Sequence, residues 1–282
     1  KTTVSRAISG KGRISEATRQ RIQAYIQETN YRPSAAAKGL AESKTYNVAL
    51  VLPRSLFKLD MPFIRKSMTA ICEEAFLQDY NILLCLSTDD NPATLLRTLD
   101  NRKVDGVILS RTVEHDGLVD MLRQRGIPFS TIGSLPPEKR GWATVEADHD
   151  HIGGCYAFTL SFLQGSQDKV ALLGNDMRYI VNQSRLAGFN KAAEEVGFAQ
   201  EDVLLYTDMS NYRLCAAAVE ESLQKGVRRF LAMDDEICAN VLRALEQCSW
   251  LTPGDLRISS FADNDALSLY HYPVSAVRFD AG

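Results

Sequence analysis

The 282-residue chain lacks several features that mark specialised protein classes. Its longest apolar runs, such as residues 48–52, fall far short of the roughly 20 residues of a membrane-spanning helix, and no apolar signal segment opens it. No glycine-rich phosphate fingerprint follows any predicted strand, which disfavours a nucleotide-dependent enzyme. We expect a cytoplasmic protein without a membrane partner.

The sequence also lacks signs of a metal, a cofactor or a disulfide framework. None of its six cysteines forms a C-x-x-C pair or has a histidine at ligand spacing, so we predict reduced, buried thiols. The four histidines form no recognisable catalytic triad. His149 and His151 stand two positions apart, and such residues diverge on a helix, so no metal site is predicted.

The charge is present but unevenly placed. The whole chain carries a net charge of −3, whereas residues 1–46 contain nine Lys/Arg against three Asp/Glu, so that the remainder carries −9. A short basic end on an acidic body is typical of a nucleic-acid-binding head on a solvated domain. Chance clustering on a solvated helix is the alternative.

The basic end contains helix-like segments separated by breaks. Residues 2–8 have apolar positions at helical spacing and end at a glycine-containing turn. Ser15 is predicted to cap a second helix, which runs to about Glu28. Pro33 breaks that pattern, and the following alanine-rich segment, about seven residues long and weakened by Gly39, is too short to be stable alone.

The order and spacing of these residues resemble the DNA-binding head of the LacI/GalR transcriptional regulators. The matching runs are T-V-S-R at 3–6, I-S-x-x-T-R-x-R-I at 14–22 and N-Y-x-P-S-x-x-A-x-x-L at 30–40. In that family a helix-turn-helix enters the major groove, and a hinge helix enters the minor groove of a palindromic operator. The resemblance implies that residue 1 lies inside the recognition helix and that the native chain begins earlier.

Roles in DNA binding follow from the resemblance, residue by residue. Base-edge contacts are implied for Lys1, Thr2 and Arg6, the arginine being the usual partner of guanine. The resemblance implies phosphate contacts or register-setting roles for the hydroxyl-bearing residues Thr3, Ser5, Ser15, Thr18, Tyr31 and Ser34. Ala37 and Leu40 match the hinge positions, where leucine wedges into the central base step, although core packing is the alternative for Leu40.

The body alternates between strand-like and helix-like segments, which predicts an α/β fold of open parallel sheets flanked by helices. Strands are predicted at residues 47–53, 81–87, 106–109, 129–133, 169–173, 229–233 and 256–261. Helices are predicted at residues 63–78, 95–101, 118–125, 152–163, 183–196, 215–225 and 236–247. Asp148 is predicted to cap the helix that opens the second half.

The body resembles the effector-binding domain of the same family, which is similar to periplasmic sugar-binding proteins. The resemblance rests on K-V-D-G-V-I at 103–108, R-G-I-P at 125–128, S-R-L-A-G-F at 184–189 and D-D-E-I at 234–237. It implies a partial helix-turn-helix head at 1–33, a hinge helix and linker at 34–46, an N-subdomain at 47–147 and an incomplete C-subdomain at 148–282. Residues beyond 282 are expected to complete the fold and part of a dimer surface.

An effector site between the two subdomains is implied as well. Arg185 matches a cleft arginine whose planar fork holds two ligand oxygens, with a surface ion pair as the alternative. Asp234 stands where the family usually has asparagine, and an ionised carboxylate there accepts hydrogen bonds from sugar hydroxyls. Phe63 and Met209 match apolar pocket positions, with core packing as the alternative.

Two departures from the family pattern point to a variant pocket. Ala262 replaces a carboxylate that often grips a sugar hydroxyl, and Asp263, Asn264 and Arg54 are the candidates to compensate. Met61 likewise replaces an asparagine in the first pocket loop. The effector is therefore not named by the sequence.

The resemblance implies a homodimeric bacterial repressor that needs no cofactor and associates with the nucleoid when bound to its operator. A small molecule, expected to be a saccharide, would close the cleft and melt the hinge helices. A solute-binding protein of the same fold is the alternative, although a basic helical head disfavours it. An enzyme using Asp234, Asp235 and Glu236 is disfavoured, since acidic residues at a strand-to-helix junction are ordinary caps.

Overall fold

The computed structural model describes residues 2–9, 13–29, 39–40, 42–53, 62–87 and 92–278, except the side chains of residues 2, 5, 8, 9 and 62. The predictions for Lys1, Tyr31, Ser34, Ala37, Arg54 and Met61, and for the side chains of Thr2 and Ser5, lie outside this description. The chain divides into two compact units, residues 1–46 and 47–282.

The smaller unit contains two helices, α1 (Thr2–Ser9) and α2 (Glu16–Glu28). Ala7 of α1 is 3% exposed. The predicted cap of α2 is confirmed: the Ser15 hydroxyl accepts a hydrogen bond from the Thr18 amide at 3.3 Å and lies 2.7 Å from the Thr18 hydroxyl. Gly39 and Leu40 are helical, and Leu40 is 86% exposed. The side chain of Leu40 therefore joins no core in this unit.

The larger unit contains two parallel five-stranded sheets, which confirms the predicted α/β fold. The first sheet has the order β2-β1-β3-β4-β5. Its strands are β1 (Asn47–Pro53), β2 (Asn81–Ser87), β3 (Gly106–Leu109), β4 (Phe129–Ile132) and β5 (Val145–Ala147). Its helices are α3 (Pro62–Leu77), α4 (Ala93–Asp100) and α5 (Gly117–Gln124). We refer to residues 47–147 as lobe 1.

The second sheet repeats the same winding, because from its opposite edge the order is β7-β6-β8-β9-β10. Its strands are β6 (Val170–Leu173), β7 (Val203–Tyr206), β8 (Arg229–Ala232), β9 (Arg257–Ser260) and β10 (Val274–Ala276). Its helices are α6 (His151–Leu163), α7 (Ile180–Glu195), α8 (Tyr212–Gln224) and α9 (Asp235–Leu245). We refer to residues 148–278 as lobe 2.

Helices cover both faces of the second sheet. Val170 and Leu172 pack into a cluster with residues of α6 and α7, whereas Ala171 and Leu173 pack with residues of α8 and α9. All four residues of β6 and all four of β8 are buried. A strand buried on both sides must be apolar throughout, which explains the uninterrupted hydrophobic runs in the sequence.

Some details of the sequence-based predictions are wrong. The strands β5, β7 and β10 were not predicted. Asp150 caps α6 instead of Asp148, because its carboxylate accepts a hydrogen bond from the Gly153 amide at 2.8 Å. Cys72 is exposed and Cys248 is partly so, while the other four cysteines are buried as predicted; all six are free.

Candidate effector and DNA-binding sites

The carboxyl ends of the strands in the two lobes face each other. The segment after β3 pairs with the segment after β6 through an antiparallel bridge between Val113 and Tyr179. Ligands of parallel α/β sheets bind where the carboxyl ends of the strands open into a crevice. The side chains that follow the strands of both sheets are therefore the candidates for an effector site.

Arg185 lies at this edge of lobe 2. Its Nη1 donates a hydrogen bond to the Met233 carbonyl oxygen, just beyond β8, at 2.6 Å. Its Nε is buried and has no hydrogen-bond partner among the described residues. A buried donor atom without a partner is costly unless a ligand or water completes it, so Arg185 is a candidate binding residue.

Close packing between two helices fixes the position of Arg185. Gly188, one turn further along α7, lies so close to α6 that a Cβ atom there would meet the Ile152 carbonyl oxygen at 2.6 Å and the Cys155 Cβ at 3.0 Å. Any side chain at residue 188 would push α7 away from α6. The R-L-A-G-F motif therefore combines the candidate binding residue with the glycine that holds its helix in place.

Asp234 directly follows Met233, whose carbonyl oxygen Arg185 binds, and it also caps α9. Its carboxylate accepts a hydrogen bond from the Ile237 amide at 2.8 Å. Burial raises the pKa of Asp234, while the Ile237 amide and the Arg185 cation act to lower it. The pair thus offers a cation with a spare donor next to a carboxylate that accepts hydrogen bonds, an arrangement suited to a ligand with several hydroxyl groups.

Two further carboxylates follow Asp234 on α9. Burial, followed by the charges of Asp234 and Asp235, raises the pKa of Glu236 to about 7. Asp235 is 9% exposed and accepts a hydrogen bond from the Asn264 side chain at 2.8 Å. Asn264 follows β9, so its amide joins the ends of two neighbouring strands at this edge.

Phe63 forms a second group with residues at the junction of the lobes. Its ring centroid lies 6.1 Å from that of His149, whose own centroid lies 5.9 Å from that of His151. Asp148 pairs with His151 at 3.2 Å and accepts from the Ser134 amide at 2.9 Å. Although burial raises it, hydrogen bonds from His151 and Ser134 hold the pKa of Asp148 well below its usual range.

The remaining predicted effector residues lie elsewhere. Met209 is 8% exposed and packs in the core between the second sheet and helices α8 and α9, next to Cys215. Asp263 is exposed, and no contact between it and Arg185 or Asp234 is seen. The structure therefore brings together Arg185 and Asp234, places Phe63 beside His149, and leaves the roles of Met209 and Asp263 as predictions.

Two further residues become candidates only in the structure, Ser110 and His149. Ser110 follows β3 directly, is 6% exposed, and has a hydroxyl without a hydrogen-bond partner among the described residues. Its place after a predicted strand was a usable signal, because carboxyl ends of parallel strands line such sites. His149 had no comparable signal, since its contact with Phe63 spans 86 residues of sequence.

A cavity of about 560 Å³ lies at the seam between the lobes, lined by Glu114 of lobe 1 and by Arg178, Gln183 and Asn190 of lobe 2. Gln183, Ala187 and Asn190 line it from one face of α7, at successive-turn spacing. Arg185 belongs instead to the face that includes the buried residues Phe189 and Ala192. The cavity is therefore separate from the Arg185–Asp234 pair.

The candidate DNA-binding residues lie in the smaller unit. Thr3 and Arg6 of α1 are exposed, as is Ser15 at the start of α2. Thr18 is half-buried by its contact with Ser15. The exposed side chains of Thr3, Arg6 and Leu40 are available to a partner, which is the condition that the predicted DNA contacts require.

Two classes of site are not seen in the described part of the chain. No group of three or more His, Cys, Asp or Glu side chains there could hold a metal ion. No helix there has both the length and the apolar composition to cross a membrane.

Two family models match the sequence. Residues 1–34 match the family described as "Bacterial regulatory proteins, lacI family", and residues 45–270 match "Periplasmic binding proteins and sugar binding domain of LacI family". The HTH-type transcriptional regulator AglR of Rhizobium meliloti is 28% identical over 278 residues, which covers 95% of this chain and 75% of that protein.

Solved structures of regulators share the fold. A complex of the transcriptional regulator CelR with cellobiose has a TM-score of 0.73 at 24% identity and covers 99% of this chain and 84% of that one. A lac repressor dimer bound to operator and the anti-inducer ONPF has a TM-score of 0.75 at 18% identity, with the same coverage. The chain belongs to the LacI family of bacterial transcriptional regulators.

Proposed function

We propose that this regulator is a repressor that binds a palindromic operator and releases it when a saccharide binds between the lobes. The observation that carries the proposal is that one chain combines two features. Its basic head matches the regulatory family, and the cleft edge of its body holds the half-buried Arg185–Asp234 pair. A solute-binding protein would need the Arg185–Asp234 pair but not the basic head.

The head supports DNA binding through charge and exposure. Its balance of +6 over residues 1–46 attracts phosphates, whereas the −9 of the remainder repels them. Arg6 is exposed on α1, where it can reach a base edge, and Leu40 is 86% exposed in a helical segment without a core to join. These properties fit the proposed base contact and the proposed minor-groove wedge.

The chemistry of the Arg185–Asp234 pair supports a saccharide. Asp234 accepts hydrogen bonds from hydroxyl groups and disfavours an anion, while the spare Nε of Arg185 donates to a ligand oxygen. Phe63 is 37% exposed beside His149, so its face is open to the apolar side of a sugar ring. The relative CelR has been solved with cellobiose, which makes saccharides the first ligands to test.

We infer that two copies associate through α3 and the edge strand β2. None of the described side chains of α3 is buried, and Phe76, Leu77 and the neighbouring Leu84 of β2 are 79%, 73% and 43% exposed. An apolar surface of this kind on a soluble protein is typical of an interface. A second copy is the partner of choice because a palindromic operator requires two heads related by a two-fold axis.

The domain boundaries fit this mechanism. We assign residues 1–33 to the head, 34–46 to the hinge, 47–147 to one subdomain and 148–282 to the other. Asn47 begins β1 directly after the hinge, so a change in the angle between the lobes of a dimer would move the two hinges apart. The hinge is short, and little free energy is needed to melt it.

The full-length protein should select its own operator from a library of random duplexes. We expect a palindrome to be enriched, to be bound at both low and high salt, and to be released by one member of a sugar panel that includes cellobiose. Arg6→Ala should lower affinity for the selected palindrome and relax the preference at one base position.

The alternative outcomes are informative. Weak binding that disappears with salt and selects no palindrome would show a non-specific basic patch, and a sugar-binding protein without a DNA function would then be favoured. If a palindrome is selected but no sugar releases it, the protein still acts as a DNA-binding regulator, and the proposal of a saccharide effector is wrong. A matched Arg125→Ala variant, altered in an ion pair of lobe 1 with Asp100, should bind the operator as the parent does.

A further inference from the structure

The two lobes are joined by a non-covalent contact that we call the clasp, formed by residues 111–114 of lobe 1 and 176–183 of lobe 2. Its centre is the antiparallel bridge between Val113 and Tyr179. The Glu114 amide donates to the Arg178 carbonyl oxygen at 2.9 Å, and the Ile180 amide donates to the Thr112 carbonyl oxygen at 3.2 Å. Main-chain pairing of this kind fixes the register of the two segments as well as their separation.

Side chains reinforce the main-chain pairing from both lobes. The Arg111 guanidinium lies over the ring of Tyr179, with its carbon 4.8 Å from the ring centroid, and its Nη1 donates to the tyrosine hydroxyl. The Gln183 side chain donates to the Glu114 carboxylate at 3.2 Å. Arg111 and Tyr179 therefore form a stacked, hydrogen-bonded pair across the seam.

Arg111 also lies in the field of a carboxylate from each lobe. In lobe 1 it acts to lower the pKa of Asp116, although burial raises that pKa overall. In lobe 2 the pKa of Asp176 is lowered, first by its hydrogen bonds with Arg178 and to a smaller extent by Arg111. Of these two attractions, only the one between Arg111 and Asp176 crosses the seam, so separating the lobes costs this electrostatic energy as well as hydrogen-bonding energy.

The clasp lies at the start of the helix that carries Arg185. Tyr179 is the N-cap residue of α7, and Ile180 is its first residue. Thr112 and Ser110, on the lobe 1 side, are 4% and 6% exposed, so the segment that holds the start of α7 is itself fixed in the protein interior. A rigid helix transmits the position of its first turn to a residue less than two turns away.

We propose that Arg111 and Tyr179 are positioning residues that set the angle between the lobes and thereby place Arg185 relative to lobe 1. They contact no part of the Arg185–Asp234 pair and act through α7. With the clasp closed, the effector meets a preformed cleft; with it broken, the lobes sample a wider range of angles and the effector must first select the closed one. The effect of the clasp on effector binding rests on the proposed function, whereas its control of the angle between the lobes does not.

The test measures the distance between the lobes without DNA or effector. Spin labels at Gln124→Cys on α5 and Glu194→Cys on α7, both exposed positions, report the separation in a Cys72→Ser/Cys248→Ser background. The variants are Arg111→Ala, Tyr179→Phe and the double variant. The control is Arg125→Ala, which removes an ion pair with Asp100 inside lobe 1.

We expect a narrow distance distribution in the parent and in Arg125→Ala, and a broader one in Arg111→Ala. Tyr179→Phe keeps the stacking and loses the hydroxyl, so its effect should be smaller, and the double variant should add little to Arg111→Ala because the residues act on each other. Exchange of the Ile180 and Glu114 amides should be about tenfold faster in Arg111→Ala, as for the loss of one charge-assisted hydrogen bond.

A purely structural role would give a different result. If Arg111→Ala lowers the melting temperature but leaves the distance distribution and the exchange of these two amides as in the parent, the proposal is wrong. If the distances broaden as expected while the full-length protein selects no operator and binds no sugar, the clasp stands and the proposed function fails. If the distances broaden and the full-length protein also binds an operator and a sugar, Arg111→Ala should weaken binding of the sugar that releases the operator.

Discussion

At the scale of the residue, Glu236 makes stability depend on pH in an unusual direction. Its pKa rises from 4.5 to about 7 on folding, because of burial and then of Asp234 and Asp235. The folded state therefore binds this proton more tightly than the unfolded state does, and the contribution of Glu236 to stability is lost as pH rises from about 4.5 to about 7.

Glu236→Gln should remove this loss of stability at higher pH, because glutamine has no proton to release. The full shift would correspond to about 3 kcal/mol, and partial access to water reduces our expectation to about 1 kcal/mol of added stability at pH 8, with no gain at pH 4. Urea unfolding of parent and variant between these pH values measures the difference. Glu194→Gln on the exposed face of α7 is the control, and a gain that is equal at all pH values would contradict the explanation.

We expect the two candidate binding residues Arg185 and Asp234 also to stabilise each other, because the Arg185 cation acts on the Asp234 carboxylate. Arg185→Ala should destabilise the protein by about 2–3 kcal/mol, because Asp234 loses its cation and the Met233 carbonyl loses its donor. The same change in an Asp234→Asn background should cost less by about 1 kcal/mol, since asparagine keeps the cap of α9 without the buried charge. Equal costs in the two backgrounds, measured by urea unfolding, would show that the two side chains do not interact.

The sequence was sufficient to select Arg185 and Asp234 as candidates, which the structure places at one edge of lobe 2, but it did not indicate the clasp. Both predicted residues belong to short motifs next to a strand or helix boundary, where neighbours in the chain settle the local geometry. Arg111 and Tyr179 are 68 residues apart and meet only because two sheets with the same winding bring their carboxyl edges together. No periodicity or spacing indicates such a pair before the sheets are in place.

At the scale of the element, a strand was predicted where its own residues form an apolar run, and it was missed where it depends on a neighbouring strand. Strands buried on both faces, such as β6, have an apolar run that is visible in the sequence. β5 and β10 have three residues each, including Glu146 and Ser275, and they form because an already ordered neighbour, β4 or β9, offers a free edge. Their stability comes from partners distant in sequence, which a local pattern does not report.

The cap of α2 allows its structural and DNA-binding roles to be separated. Ser15→Ala removes the hydrogen bond from the Thr18 amide and should destabilise the smaller unit by about 1 kcal/mol. Ser15→Asp should restore the cap, because aspartate is an equally good N-cap residue, but it places a negative charge where the family resemblance puts a phosphate.

Amide exchange of α2 and binding to the selected operator provide the two measurements. We expect Ser15→Ala to lose both helix protection and affinity, and Ser15→Asp to keep protection while losing affinity. Normal operator binding by Ser15→Asp would remove Ser15 from the proposed phosphate contacts and leave it as a cap only.

At the scale of the whole molecule, the repeated winding of the two sheets provides an internal control for the proposed dimer. β2 and β7 are edge strands at equivalent places in their sheets, and each has an outward leucine of similar exposure: Leu84 at 43% and Leu205 at 45%. β2 lies beside α3, none of whose described side chains is buried, whereas all four helices of lobe 2 contain buried residues. The two leucines therefore differ in surroundings more than in strand geometry or exposure.

Leu84→Asp should convert the dimer to a monomer, because a carboxylate buried in an apolar interface has no partner to offset its loss of hydration. Leu205→Asp makes the same chemical change on an equivalent edge strand and should leave the dimer intact. Sedimentation velocity at micromolar concentration gives the mass of each variant, and operator binding should fail with Leu84→Asp alone, since one head reads only half of a palindrome. If both variants remain dimeric, the two copies associate through a surface other than α3 and β2.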